Sequence, residues 1–284
     1  MRVLPLALVV IVGCHPRLPP GTFARTLAFG GAQRTYLVHP GAPRMKDALV
    51  LVLHGMGGSG ANIERRTHFD TVADKQGFVV AYPDALERRW SDGWDDGKAD
   101  DVGFLAALAD ALVAEYSLDP DRVYVAGFSN GASMAHRLAC ERETVAAFAA
   151  VSGTMARSVR GPCAKGRAIS LLGIHGKDDP IVPFDDEVLA TVDVWRKRNG
   201  CGPSDSSDLP DADPSDGTRI HRDRNPCRDG AVMEFFTIAG GGHAWPGGEP
   251  TGSAGAGRTS RDMDASVVIW DFFSRQKRLL KQSL

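Results

Sequence analysis

Two rhythms of apolar and polar positions alternate along the chain. Short runs in which nearly every residue is apolar recur as "DALVLVLHG" (47–55), "GFVVAYP" (77–83), "RVYVAGF" (122–128), "AFAAVSG" (147–153) and "AISLLGIHG" (168–176). Runs of this length suit strands buried on both faces of a sheet, and "RTYLVHP" (34–40) reads as a further strand. Between several of them the apolar spacing becomes helical. In residues 100–120, Val102, Leu105, Leu108, Leu112 and Val113 share one helical face, and Pro120 ends the pattern. Strands alternating with helices predict an α/β domain with a mostly parallel, doubly wound sheet and helices on both faces.

The two ends and one internal segment break this rhythm. "MRVLPLALVVIVGC" places one positive charge before an apolar run from Val3 to Val12. That run is too short to cross a bilayer and has the form of a secretory signal. Ile11-Val12-Gly13-Cys14 resembles a bacterial lipoprotein processing box, so Cys14 is a candidate lipidation site and point of membrane attachment. The expected organisation is a signal segment and proline-rich spacer over residues 1–20, then one catalytic domain over 21–284, long enough for one substantial core. Residues 201–227, rich in Pro, Ser and Asp, read as a solvated insertion, since their aspartates lack calcium-loop spacing. The basic tail "RQKRLLKQSL" (275–284) reads as a frayed helix end.

Charge and cysteine content narrow the classes. A formal net charge of -2 lacks the basic excess of a nucleic-acid binder, so no nucleic-acid partner is expected. An exported chain meets an oxidising compartment, where cysteines pair rather than hold metal, and none here has zinc-site spacing. The pairs Cys140 with Cys163 and Cys201 with Cys227 close the shortest loops and are the predicted disulfides, each contributing about 2–4 kcal/mol.

The candidate chemistry begins where the run ending at Phe128 meets a helical pattern. Gly127-Phe128-Ser129-Asn130-Gly131 in that strand-to-helix context has the form of the G-x-S-x-G nucleophile elbow. Flanking glycines are needed because Cβ atoms in so tight a turn would collide with neighbouring backbone. A serine hydroxyl needs a base to take its proton, and the base needs an acid to fix its tautomer. Downstream of Ser129, in the order hydrolases of this type use, "ISLLGIHGKDDPIVP" offers Asp178 and Asp179 and "FFTIAGGGHAWPGG" offers His243. Spacing alone leaves the two aspartates nearly even, and Pro180 favours Asp179 by fixing the loop. His54 and His175, also at strand ends, are the alternative bases, with supporting roles in their loops as the expected ones. For the oxyanion, the backbone N–H of Asn130 is one expected donor; the other is Met56, or failing that Gly57, in the glycine-rich "LHGMGGSG". That loop lacks the Lys-Ser/Thr of a phosphate-binding P-loop.

Taken together, "LHGMGGSG", "GFVVAYPDA", "DDVGFLAALADAL", "DPDRVYVAGFSNGASMAHRLAC", "HGKDDPIVPF", "WRKRNGC" and "GGGHAWPGG" resemble the secreted α/β-hydrolases of the polyhydroxybutyrate depolymerase-like and feruloyl esterase-like type. The resemblance covers nearly the whole of the chain after the spacer. It implies the α/β-hydrolase fold, the triad Ser129, Asp179 and His243, and the same cysteine pairs. It leaves the substrate open. The chain departs from the pattern in residues 85–101, where charged and aromatic residues stand beside the expected cleft, and in the long insertion after Cys201. Trp90, Trp94 and Trp245 are candidates to stack on an aromatic acyl group or a sugar.

The resulting expectation is an exported serine esterase that needs no cofactor and no metal and acts on a small or oligomeric ester. A catalytically silent binding protein and an acyltransferase are the alternatives. Feruloyl, acetyl and hydroxyalkanoate esters all fit the reading.

Overall fold

The computed structural model describes residues 21–41, 47–94, 97, 99–250 and 255–278, so the expected signal segment with Cys14 lies outside the described residues. Among the described residues ten strands form one sheet: β1 (Phe23–Phe29), β2 (Ala32–His39), β3 (Leu49–Leu53), β4 (Val79–Pro83), β5 (Val123–Phe128), β6 (Ala147–Val151), β7 (Ser170–Gly176), β8 (Asp205–Asp208), β9 (Arg219–Pro226) and β10 (Val232–Ala239). They lie in the order β1-β2-β4-β3-β5-β6-β7-β10-β9-β8. The six strands from β4 to β10 run parallel, and antiparallel strands flank them at both edges.

Alternate residues of the central strands point to opposite faces, and both faces are covered. Leu49, Leu51 and Leu53 of β3 join a core with α3 (Asp101–Tyr116), α4 (Asn130–Glu141) and Trp195 of α6 (Asp186–Asn199). Val50 and Val52 join a second core with α1 (Gly60–Thr67), α2 (Phe69–Gln76) and α7 (Ala265–Ser274). Along α3, Leu105, Leu108 and Leu112 are buried as the apolar spacing predicts, with Phe104 added. The Asp100 carboxylate caps its first turn by accepting the Gly103 N–H at 2.8 Å.

The structure adds one strand and changes two expectations. The segment before residue 30 supplies an edge strand, β1, whose residues alternate between half-buried and exposed. The acidic insertion is not simply a solvated loop: β9 within it pairs with β10, burying Ile220 and Asn225, and β8 extends the sheet by one more strand. Its hydrophobic signal is one side chain, too little for a polar segment to read as a strand. The tail does not fray over residues 275–278, where the Arg278 guanidinium donates to Asp121 at 2.7 Å and the Gln276 carbonyl accepts the Tyr124 hydroxyl at 2.6 Å.

Both predicted disulfides are formed, Cys140–Cys163 and Cys201–Cys227. The first ties the end of α4 to α5 (Arg157–Cys163), and the second ties the chain after α6 to the turn between β9 and β10.

Against the first of these cores, the imidazole of His136 on α4 is wholly enclosed, and its Nδ1 accepts the indole N–H of Trp195 at 2.9 Å. Burial pushes its pKa down to about 3. The unfolded chain therefore takes up this proton first as pH falls, so the stability His136 gives is present near neutrality and lost between about pH 6.5 and 3. His136→Asn, whose amide oxygen can receive the Trp195 hydrogen bond, is expected to lose about 2 kcal/mol less between pH 7 and pH 5 than the unsubstituted protein. Urea-unfolding midpoints of both proteins at the two pH values check this.

Candidate active site

Ser129 occupies the single residue between β5 and α4 with φ 55° and ψ -121°. A non-glycine residue in such a conformation costs about 1–3 kcal/mol and persists only where its surroundings fix it. Here the Ser129 N–H donates to the Val151 carbonyl at 2.9 Å, and the Ser129 carbonyl accepts the amides of Ala132 and Ser133 at 2.9 and 3.1 Å. The flanking glycines are required as the motif suggests. A Cβ on Gly127 would lie 2.1 Å from the Gly131 carbonyl oxygen, and one on Gly131 would lie 2.4 Å from that of Leu53. The turn leaves Ser129 at the C-terminal edge of the sheet, half-buried.

The loops after β7 and β10 bring the expected acid and base, Asp179 and His243, together. Asp179 is buried, and its Oδ2 lies 2.8 Å from Nδ1 of His243. Its Oδ1 accepts the amides of Ile181 and Val182 at 2.9 and 2.8 Å. Burial alone would raise this carboxyl, but the hydrogen bond and charge of His243, with those two amides, carry it below the usual carboxylate range. Asp178 is exposed and contributes its backbone N–H to the Gly241 carbonyl at 2.9 Å, pinning the acid loop to the histidine loop. That settles which aspartate faces His243. The glycines before His243 let it return over the sheet edge: a Cβ on Gly242 would lie 2.3 Å from the Ala256 carbonyl oxygen.

The two alternative histidines serve these loops. His175 donates from Nε2 to the Val182 carbonyl at 2.8 Å and so braces the turn whose amides hold Asp179. Burial lowers its pKa, as it does that of His54. In His54, Nε2 accepts the Ala85 N–H at 3.1 Å, which leaves Nδ1 to donate to the Gly55 carbonyl at 2.8 Å. Carbonyl and N–H point in opposite directions across a peptide, so this bond turns the Met56 N–H away from His54. The Gly57 N–H donates to the Arg88 carbonyl at 2.8 Å and is thereby committed. Among the described residues no acceptor engages the N–H of Met56 or of Asn130.

The three tryptophans separate. Trp90 and Trp245 are buried, 0% and 1% exposed, so neither ring has a face open to a substrate. The Trp245 indole N–H donates to Ser266 at 3.1 Å within the α7 core. Trp90 instead joins the two backbone donor loops. Its indole N–H donates to the His54 carbonyl at 2.9 Å, and its backbone N–H donates to Oδ1 of Asn130 at 2.8 Å. The Asn130 amide in turn donates to Asp92 at 2.6 Å. An aromatic residue in a loop gives no sign in sequence of which way it faces, and the same holds for this network. Trp94, 42% exposed, is the one of the three that lines a cavity with Ser129.

Two cavities meet at Ser129. One of about 420 Å³ also holds His243, Met56, Asn62, Arg65 and Arg66 on its walls. The other, of about 330 Å³, is lined by Trp94, Asp92, Ile181, Pro183, Asp185 and Glu187. Arg65 and Arg66 have no motif around them and emerge only once α1 is folded against the elbow. The described residues contain no cluster of His, Cys, Asp and Glu fit to hold a metal ion.

Comparison with known proteins places the chain among esterases. NocK of Nocardia uniformis subsp. tsuyamanensis, which carries an esterase name, is 33% identical, over 88% of this chain and 82% of its own. The bifunctional acetylxylan esterase/xylanase XynS20E of Neocallimastix patriciarum is 28% identical over 87% of this chain, which spans 34% of that protein's length. Feruloyl esterase B of Piromyces equi is 27% identical over 69% of this chain and 39% of its own. Among solved structures, an acetyl xylan esterase from Aspergillus awamori superposes with a TM-score of 0.63 at 16% identity, over 79% of this chain and 94% of that one, and shares the α/β-hydrolase fold. The model of the family described as Esterase PHB depolymerase matches residues 33–197, and the chain belongs to that family of esterases.

Proposed function

We propose that this esterase is an exported serine carboxylic-ester hydrolase that works through an acyl-enzyme. The observation that carries the reading is the buried 2.8 Å bond between Asp179 and His243, whose imidazole shares a cavity wall with Ser129 in its positive-φ turn. Ser129 Oγ attacks the ester carbonyl while Nε2 of His243 takes its proton. Asp179 holds the proton on Nδ1 and stabilises the imidazolium that forms. The N–H groups of Met56 and Asn130 receive the oxyanion. His243 then returns its proton to the departing alcohol, and water, deprotonated by the same imidazole, releases the acyl group. Every step uses side chains and amides of this chain, with no cofactor assigned a part.

The names of the relatives put feruloyl, acetylxylan and hydroxyalkanoate esters among the candidate substrates. Trp94 offers a flat apolar face to an aromatic acyl group beside Ser129. Two disulfides support export, because such bonds persist in oxidising compartments. Attachment of the chain to a membrane through Cys14 is a further proposal, tested by the mass of the mature N-terminus.

Treatment with a fluorophosphonate, followed by peptide mass analysis, is expected to place one adduct on Ser129 and none in His243→Ala. A folded protein that takes up no label would overturn the reading. Asp179→Asn is expected to lower kcat on the order of 10⁴-fold, as in other triads, whereas Asp178→Asn leaves it within a few-fold. Steady-state kinetics on an aryl acetate distinguish the two, and an equal loss at Asp178 would reverse the assignment.

A further inference from the structure

The two cavities that meet at Ser129 differ in charge. Among the described residues, Asp92, Asp185 and Glu187 line the smaller one with a single cation, Arg89. Each of these carboxylates is already engaged: Asp92 by Asn130, Asp185 by the amide of Glu187, and Glu187 by Arg157 and Arg160. Among the described residues, the larger cavity has Arg65 and Arg66 on its wall and no carboxylate. Glu249 lies outside that wall, 3.2 Å from Arg65 in an exposed pair, which in water is worth little.

Arg66 is placed close to the reacting groups. Its guanidinium lies 5.1 Å from the centre of the Phe128 ring, and that ring also meets the imidazole of His243, 4.8 Å between centres. Burial first, and then neighbouring Arg65, push the Arg66 guanidinium below its ordinary pKa, against a smaller pull from Glu249. An anion in the cavity would accept hydrogen bonds from Arg66 and offset the cost of that burial. A guanidinium carries five N–H donors, so it can keep the partners it has and still receive a carboxylate.

We propose that the larger cavity selects an ester that carries a free carboxylate on the part of the molecule lying toward α1, with Arg66 as the specificity-determining residue and Arg65 as its support. The inference rests on the esterase reading above and names its substrate class. The uncharged or aromatic part of the ester then lies toward Trp94. The carboxylate belongs either to the acyl group, as in a hemiester of a dicarboxylic acid, or to the leaving alcohol, as in an ester of a hydroxy acid.

Paired substrates separate these cases. For the acyl side, mono-4-nitrophenyl glutarate is compared with 4-nitrophenyl valerate; for the leaving side, 4-acetoxybenzoate is compared with 4-acetoxybenzamide. The expected result is a preference of about 10-fold or more in kcat/KM for the anionic member of one pair, the scale of a hydrogen bond to a charged group. The preference should shrink as salt rises from 0.05 to about 0.5 M, because ions screen a partly open site. In Arg66→Met, which keeps a long apolar stem against Phe128, the ratio of anionic to neutral rates should fall toward one. Arg65→Met provides a second variant, with a smaller loss of the same ratio. Ratios near one in the unsubstituted protein for both pairs, or a preference that survives both substitutions, would overturn the proposal. If neutral esters are turned over and Ser129 takes the fluorophosphonate label, that failure concerns only the carboxylate; if neither occurs, it is the esterase reading that falls.

Discussion

The conformation of one residue constrains the rest of the molecule. Ser129 can hold a positive φ only because three neighbouring strands end in register around it. Leu53 of β3 lies opposite Gly127, and Phe128 lies opposite Val151 of β6, so carbonyl groups from both sides reach the turn at fixed distances. A slip of one residue in either pairing would turn each side chain of the strand toward the opposite core and would also remove the Val151 acceptor from the serine amide. The cores on both sheet faces therefore do more than stabilise the fold. They hold the register that keeps a locally unfavourable turn in place, at a cost of about 1–3 kcal/mol.

The same edge of the sheet gathers the remaining groups through buried polar contacts. His54, Trp90, Asn130 and Asp92 form a continuous network that spans the loops after β3 and β5. Within a low-dielectric interior such a network is rigid when every member is satisfied and expensive to break. His175 plays the corresponding part on the other side, bracing the turn that presents Asp179. Two backbone amides and one carboxylate are thus oriented by residues that need no contact with an ester. This pre-organisation is what an electrostatic mechanism requires, since donors already aimed need not reorganise as charge develops.

Much of this arrangement was legible in the sequence, for reasons that can be named. The elbow, the chain order of serine, acid and histidine, and the central strands are written as local patterns: glycines at fixed offsets and unbroken apolar runs. The disulfide pairs follow from loop length. Pro180 favours Asp179 over its neighbour Asp178, and the structure buries Asp179 and exposes Asp178. What escaped notice depends on long-range placement. Trp90 and Trp94 sit four residues apart in one charged loop, yet one is sealed beneath His54 and the other faces the cavity. Arg66 belongs to a short helix of ordinary pattern and meets Phe128 only because α1 packs beside the elbow. β9 escaped because pairing with β10, rather than apolar alternation, recruits a polar segment into the sheet.

That recruited segment also sets how the sheet ends. β8, the outermost strand on its side, consists of Asp205, Ser206, Ser207 and Asp208, all exposed. An open strand edge is a template for another chain, and proteins protect such edges with charge. Any strand adding to β8 would draw the carboxylates of Asp205 and Asp208 out of water against its own backbone, with no gain in apolar contact. The acidic insertion is in this sense a terminator: it lets a ten-stranded sheet stop growing, and so guards a concentrated protein against edge-to-edge association.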